Sequence, residues 1–305
     1  MESFSIASEL NPSQRKYLDN LLAQGKKIAP GKKPEDMTPR ERIEFDEILT
    51  AVESFFETRE VPPAPRVTEV SATTPEGREI HFELNEQLES WREFYKKNKV
   101  DWISLPDEIS ITAEQAADMQ RLMELGFDRM IIIPDNLSDE PEKYEKLHGV
   151  MSEGYKKTWT DSDYKAEGNF KGAVDKRRGL RIILTRDVQN LVGLPAGDLF
   201  QKTLGLTPDQ LDSQIFNAAE NKNLKLSGLT ESEYLVFQRK YYDDNKKHLD
   251  EKGWTWLPES GRGRPLSGRV PDAGWFDCSL NFSSDDRGYS LGELGCRLAG
   301  SFLVV

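Results

Sequence analysis

The residues able to do chemistry in this chain are few and scattered. Cys278 and Cys296 stand eighteen residues apart, with Phe276, Leu280 and Leu298 as apolar neighbours. Such cysteines serve as packing residues or as a disulfide pair, and the apolar flanks favour packing. His81, His148 and His248 each stand alone, as surface or packing histidines do. Asp161-Ser162-Asp163 opens like a calcium loop, but Lys165 and Ala166 occupy the places of an oxygen ligand and a glycine, so a solvated loop is expected. Gly31-Lys32-Lys33 lacks the upstream glycine and the hydroxyl residue of a phosphate loop. Gly261-Arg262-Gly263-Arg264-Pro265 matches the core of a minor-groove hook, in which arginines lie along a narrow groove. No lysines support it, and a turn leading into the last strands is the simpler reading. No catalytic residue, metal or cofactor is expected from these signals.

Composition narrows the classes further. The chain has 305 residues, 37% hydrophobic and 31% charged, enough for one large or two small globular domains. A net charge of -12 argues against nucleic acid as a partner, which would require a broad basic face. No apolar run reaches the length of a membrane span. Met1-Glu2-Ser3-Phe4 is not a basic start leading into an apolar stretch, so no secretory signal is expected. Synthesis in the cytoplasm, with a virion or surface destination left open, fits these features.

The elements that must position any site are marked by their caps. Residues 1–60 read as a helical segment. One helix lies near Gln14 to Ala23, with Gly25-Lys26-Lys27 and Pro30-Gly31 as stops, and a second opens at the capping box Thr38-Pro39-Arg40-Glu41. Ile43, Ile48, Leu49, Val52, Phe55 and Phe56 share a face of that second helix. A stiff linker, 61–66, contains Val61-Pro62-Pro63-Ala64-Pro65. Residues 67–305 then form the main domain. Within it, strands are expected at Arg66 to Ser71, Glu79 to Leu84, Met130 to Ile133 and Arg181 to Leu184. Helices are expected at Asn85 to Asn98, after Thr112, near the acidic run Asp139 to Glu145, and from Thr230 to about Asp250.

The last segment differs in composition. From Ser260 to Val305 there is no Lys, Gln or Met and a single Glu, Glu293, while Gly, Ser, Asp, Arg and aromatics dominate. Recognition surfaces use this mixture, because rigid aromatics supply area and small polar residues supply adaptable hydrogen bonds. A loop-rich part of a β-sheet domain would also suit it. Alternation places Leu280 and Phe282 on one face of a strand and Asn281 and Ser283 on the other. The apolar run 295–305 reads as one closing strand tied into a sheet.

Ser267-Gly268-Arg269-Val270, Trp275 and Leu294-Gly295-Cys296-Arg297-Leu298-Ala299-Gly300-Ser301-Phe302 together resemble the C-terminal module of variable proteins of diversity-generating retroelements. The chain departs from that pattern where Ser-Gly-Arg-Val replaces a double glycine and where Cys296 replaces a phenylalanine. The stretch from Arg181 to Trp256 is also similar to proteins of archaea, their viruses and small-genome bacteria. The resemblance covers roughly residues 100 to 305. It implies an α+β fold: a C-type lectin-like domain with a small twisted antiparallel sheet, preceded by the helical N-terminal segment. It implies non-catalytic binding of a variable protein or glycan ligand through a region at about 268–300. In that family, rewritten codons exclude Lys, Gln, Glu, Met and Trp, so Trp275 and Glu293 would be scaffold, with Trp254, Trp256, Trp275, Leu280, Phe282 and Leu298 as core. The variable positions implied are Asp272, Gly274, Phe276, Asp277, Cys278, Ser279, Asn281, Ser283, Arg287, Gly288, Tyr289 and Ser290, with Phe276, Arg287 and Tyr289 as energetic anchors. The same fold carries formylglycine-generating enzymes, so a two-thiol copper oxidase using Cys278 and Cys296 is the alternative. Oligomerisation through the N-terminal helices is left open.

Overall fold

The computed structural model describes residues 10–28, 30, 32–33, 36–58, 66–155, 157–160, 175, 177–261 and 269–304. The calcium-like run at Asp161, the arginine hook 262–265 and the proline linker lie outside these residues. The chain divides into two compact units, Met1–Pro65 and Arg66–Val305.

In the first unit, α1 (Pro12–Ile28) runs through Gly25 instead of stopping there. Gly25 faces Phe45 and Ile48 of the second helix at ordinary van der Waals distance. The second helix, α2 (Pro39–Thr58), starts as expected: Glu41 N–H donates to Thr38 Oγ1 and Thr38 N–H donates to Glu41 Oε2.

The second unit mixes helices with small sheets. Strand β1 (Arg66–Val67) pairs with β4 (Ile111–Thr112), and β2 (Glu69–Thr73) forms a hairpin with β3 (Glu79–Glu83). Gly77 takes a φ of +83° in the hairpin turn, as the Pro-Glu-Gly signal requires. Helix α3 (Leu84–Lys97) and the boxed helix α4 (Ala113–Glu124) follow, then α5 (Pro141–Met151).

A four-stranded antiparallel sheet has the order β5-β7-β13-β8, formed by β5 (Arg129–Ile133), β7 (Arg181–Thr185), β13 (Leu298–Leu303) and β8 (Leu226–Gly228). Its strands β5 and β7 carry the apolar runs Met130–Ile133 and Ile182–Leu184, all buried, and helices pack on β5. The edge strand β5 is finished by α3: Trp91 Nε1 donates to Met130 O at 3.1 Å, and Tyr95 OH donates to Ile132 O at 2.8 Å. These bonds occupy carbonyls that would otherwise invite another strand.

The five-stranded sheet has the order β12-β9-β10-β11-β6. Its members are β12 (Leu294–Cys296), β9 (Trp254–Trp256), β10 (Arg269–Phe276), β11 (Ser279–Asp286) and β6 (Lys157–Thr160). Two of its pairings, β12 with β9 and β11 with β6, are parallel, so this sheet is mixed, while the other three sheets are antiparallel as expected. The run 295–305 is likewise two strands in two sheets, broken at Arg297, and not one strand.

Two short helices, α6 (Pro208–Leu211) and α8 (Pro258–Gly261), flank α7 (Glu231–Asn245) in sequence. The first half of α7 is buried all round, Tyr234 to Gln238 included, as a helix sandwiched between layers must be. It touches both sheets: Tyr234 meets Phe282 of β11 edge-on, and the helix also packs on β5. It ends at Lys246, in left-handed conformation, several residues before the Gly253 stop expected from the sequence.

Candidate functional site

The twelve implied positions fall on the β10–β11 ribbon and on the loop that follows it. Register pairs Asp272 with Ser283, Gly274 with Asn281 and Phe276 with Ser279. Directly opposed residues share a face, so all six lie on one side of the ribbon, while Leu280 and Phe282 lie on the other. Leu280 and Phe282 are fully buried, as the alternation requires.

Much of the opposite face is also covered, which corrects the expected outward direction of four residues. Asp272, Gly274, Ser279 and Asn281 are buried. Gly274 has no room for a side chain, because a Cβ there would stand 2.8 Å from Gly253 O and 3.2 Å from the Trp254 ring. Asn281, only 7% exposed, spends its amide on the backbone: Nδ2 donates to Phe276 O at 3.1 Å and to Ser279 O at 2.8 Å. Ser279 Oγ donates to Asp277 O at 3.3 Å. Asn281 and Ser279 thus hold the turn.

What remains exposed forms two patches. The first is the turn itself, with Phe276 at 67% exposure beside Asp277 and Cys278. Asp277 and Cys278 both have positive φ, 50° and 59°, the geometry of a two-residue hairpin turn that matches strand twist. The second patch is Gly288, Tyr289 and Ser290, with Leu291 exposed beside them. Eight residues of β11 separate the patches, about 25 Å of strand. Ser283 lies between them, half-buried. Arg287, expected as an anchor, is committed elsewhere: Nε donates to Asp209 at 2.7 Å and Nη2 to Asp212 at 3.0 Å. It ties the loop to α6 and its continuation.

The ribbon is fixed by groups the sequence reading did not single out. Arg297, fully buried between β12 and β13, donates Nε to Asp250 Oδ2 at 3.0 Å and Nη2 to Asp250 Oδ1 at 2.9 Å. Its remaining contacts are Val188 O at 2.9 Å and Gln189 O at 2.8 Å. Burial alone would lower the guanidinium pKa, but the charge and hydrogen bonds of Asp250 more than offset that and leave it raised. Asp250 also accepts from Tyr234 OH and Thr255 Oγ1, and its carbonyl accepts from Trp275 N–H at 3.1 Å. The buried Asp250 carboxylate thus links α7, β9 and Arg297, while its backbone carbonyl reaches β10 and Arg297 reaches the 188–189 loop.

Trp275 is half-buried, not fully enclosed, and Trp254 is likewise half-buried. Trp275 stacks on His248 with ring centroids 3.2 Å apart, and His248 stacks on Tyr242 at 4.5 Å. Gln238 accepts Leu249 N–H at its Oε1, which turns its Nε2 toward His248 Nδ1 at 3.0 Å. That nitrogen therefore has to accept, so the neutral imidazole is the form that fits. Burial, then the neighbouring Arg239, pushes the His248 pKa down to about 4.

Neither cysteine is in a disulfide; Cys278 is exposed and Cys296 is buried. Cys296 pairs with Trp256, Trp256 pairs with Asp272, and Cys278 lies six residues beyond Asp272. That spacing sets the thiols about 20 Å apart, too far for a disulfide or a shared metal. A shallow cavity of about 250 Å³ lies elsewhere, at the end of α3, where Arg92, Lys96 and Lys99 rim an apolar floor of Tyr95, Val100, Ile103 and Leu105. No motif spacing signals it.

Compared with protein-family models, curated proteins and solved structures, the chain matches none of them.

Proposed function

We propose that this protein is a non-catalytic ligand-display protein on a C-type lectin-like scaffold, similar to the variable proteins of diversity-generating retroelements. The observation that carries the reading is the division within the last forty residues. Backbone anchors are buried and hydrogen-bonded, while two short stretches, 276–278 and 288–290, stand exposed with an aromatic residue in each. Exposed aromatics on a fixed backbone bind with little loss of conformational freedom.

On this reading, exposure and hydrogen bonding divide the implied positions. Phe276, Asp277, Cys278, Gly288, Tyr289 and Ser290 are free, Ser283 is partly so, and Asp272, Gly274, Ser279, Asn281 and Arg287 belong to the scaffold. Phe276 and Tyr289 then serve as energetic anchors. A ligand touching both patches has to span about 25 Å, which suits a protein surface better than a short glycan.

The test is a library randomised at 276–278 and 288–290 with all other residues fixed, selected against unrelated protein targets. The reading expects folded binders to several targets from one scaffold. If folded members are plentiful and none binds any target above the parent, the display role is wrong.

A further inference from the structure

The cavity at the end of α3 joins an apolar floor to a rim of cations. Tyr95 and Val100, both buried, lie at the bottom, and the half-buried Ile103 and Leu105 complete the apolar lining. Concave apolar surface of this kind is where the apolar body of a small ligand gains most by leaving water. The lining is held in place from outside. Arg92 Nη2 donates to Pro106 O, which ties the segment carrying Ile103 and Leu105 to α3. Trp102, in the same segment, donates Nε1 to Leu137 O at 3.0 Å and lies under the Lys146 ammonium at 4.2 Å. A site built before its ligand arrives loses little freedom on binding.

The polar groups around the cavity select the sign of the ligand. The last carbonyls of α3 are already satisfied: Phe94 O accepts from Asn98 N–H, Tyr95 O from Val100 N–H, and Lys96 O from Lys99 N–H. Tyr95 OH donates to Ile132 O. Asp101, the one carboxylate among the lining residues, is engaged by Lys146 at 2.8 Å. Donors remain. Among the described residues the Lys96 ammonium has no ion partner. The Lys99 ammonium meets the exposed Glu153 at 3.1 Å, a solvated pairing of small value. A helix end favours lysines in any case, but that preference does not explain an apolar floor beside them. Three lining cations against one engaged acid, in a chain of net charge -12, make a local site for an anion.

We propose that this cavity binds a small amphipathic anion, with one ring or a short alkyl chain on the floor and a carboxylate against the Lys96 and Lys99 ammonium groups. Its volume of about 250 Å³ falls below the range of drug-sized ligands, which limits the apolar body to that size. The site is independent of what the hairpin binds.

The experiment titrates the isotope-labelled full chain with phenylbutyrate and, separately, with phenylbutanol, which keeps the body and lacks the charge, following backbone amide shifts. The expected result is saturable shifts at Lys99, Val100 and Ile103, with a dissociation constant for the carboxylate of about 1 mM or tighter. The alcohol is expected to bind about 5-fold more weakly or worse. Lys96→Glu, at an exposed position where the fold is not at stake, is expected to weaken the carboxylate about 10-fold and leave the alcohol unchanged. No saturable shift at these residues up to about 10 mM carboxylate overturns the proposal. So does equal binding of carboxylate and alcohol, or a Lys96→Glu variant that binds the carboxylate as the parent does, since the cavity would then select no charge.

Discussion

At the scale of single residues, two buried groups carry the account. Arg297 and Asp250 form a pair with no water to fall back on, so removing one partner leaves the other charged and buried. Arg297→Met is expected to cost about 3–5 kcal/mol in chemical denaturation, and a further Asp250→Leu to recover part of that. A loss below about 1 kcal/mol would mean that solvent reaches the pair. His248 gives a pH signature. Its folded pKa, about 4, lies below the ordinary 6.5, so the unfolded chain takes up a proton first as pH falls. The stability it lends is complete above about pH 6.5, declines as pH drops below that, and is gone near the folded value of about 4. His248→Phe keeps a flat ring in the stack and is expected to flatten the stability profile in this window relative to the parent. Parallel profiles would contradict the neutral, accepting imidazole inferred from the Gln238 contact. Neither group was legible in sequence. An Arg in an apolar run and a lone His carry no spacing signal, and their partners lie 47 and 10 residues away.

At the scale of elements, the β10–β11 hairpin shows what pattern reading reveals and where it stops. Two-residue alternation assigned faces correctly: Leu280 and Phe282 point in, and the register gathers six implied positions on the other side. Alternation cannot say whether that other side is covered, and here Asp272, Ser279 and Asn281 are buried on it. The turn holds a testable strain. Cys278 occupies a left-handed position in which glycine meets no Cβ penalty. Cys278→Gly is expected to stabilise by roughly 0.5–1 kcal/mol, raising the melting temperature by a few degrees. A fall would show that the cysteine side chain is held by contacts stronger than the strain. Caps were the most legible local features. Thr38, Thr112 and Thr230 each start a helix with the reciprocal bonds their spacing implies. Ends were less legible: α1 continues past Gly25, since a single glycine inside a helix costs only about 1 kcal/mol, and α7 stops before Gly253 at a left-handed Lys246.

At the scale of the whole molecule, the last two strands tie the two larger sheets together and leave a small exposed remainder. The C-terminal strand β13 sits inside the four-stranded sheet, while β12, one residue before it, belongs to the other sheet. Arg297 sits at the crossing, and its pair with Asp250 joins the two layers. On the proposed reading, change at 276–278 and 288–290 is tolerated because those residues are exposed while the hydrogen-bonded anchors beside them are buried. The most direct measurement is the melting temperature of one variant bearing Phe276→Ser, Asp277→Asn, Tyr289→Ser and Ser290→Ala together. The account predicts a value within about 2 °C of the parent, as for substitutions that touch no packed group. A drop of about 10 °C or more would place those side chains in the core and contradict the division of labour on which the proposed function stands.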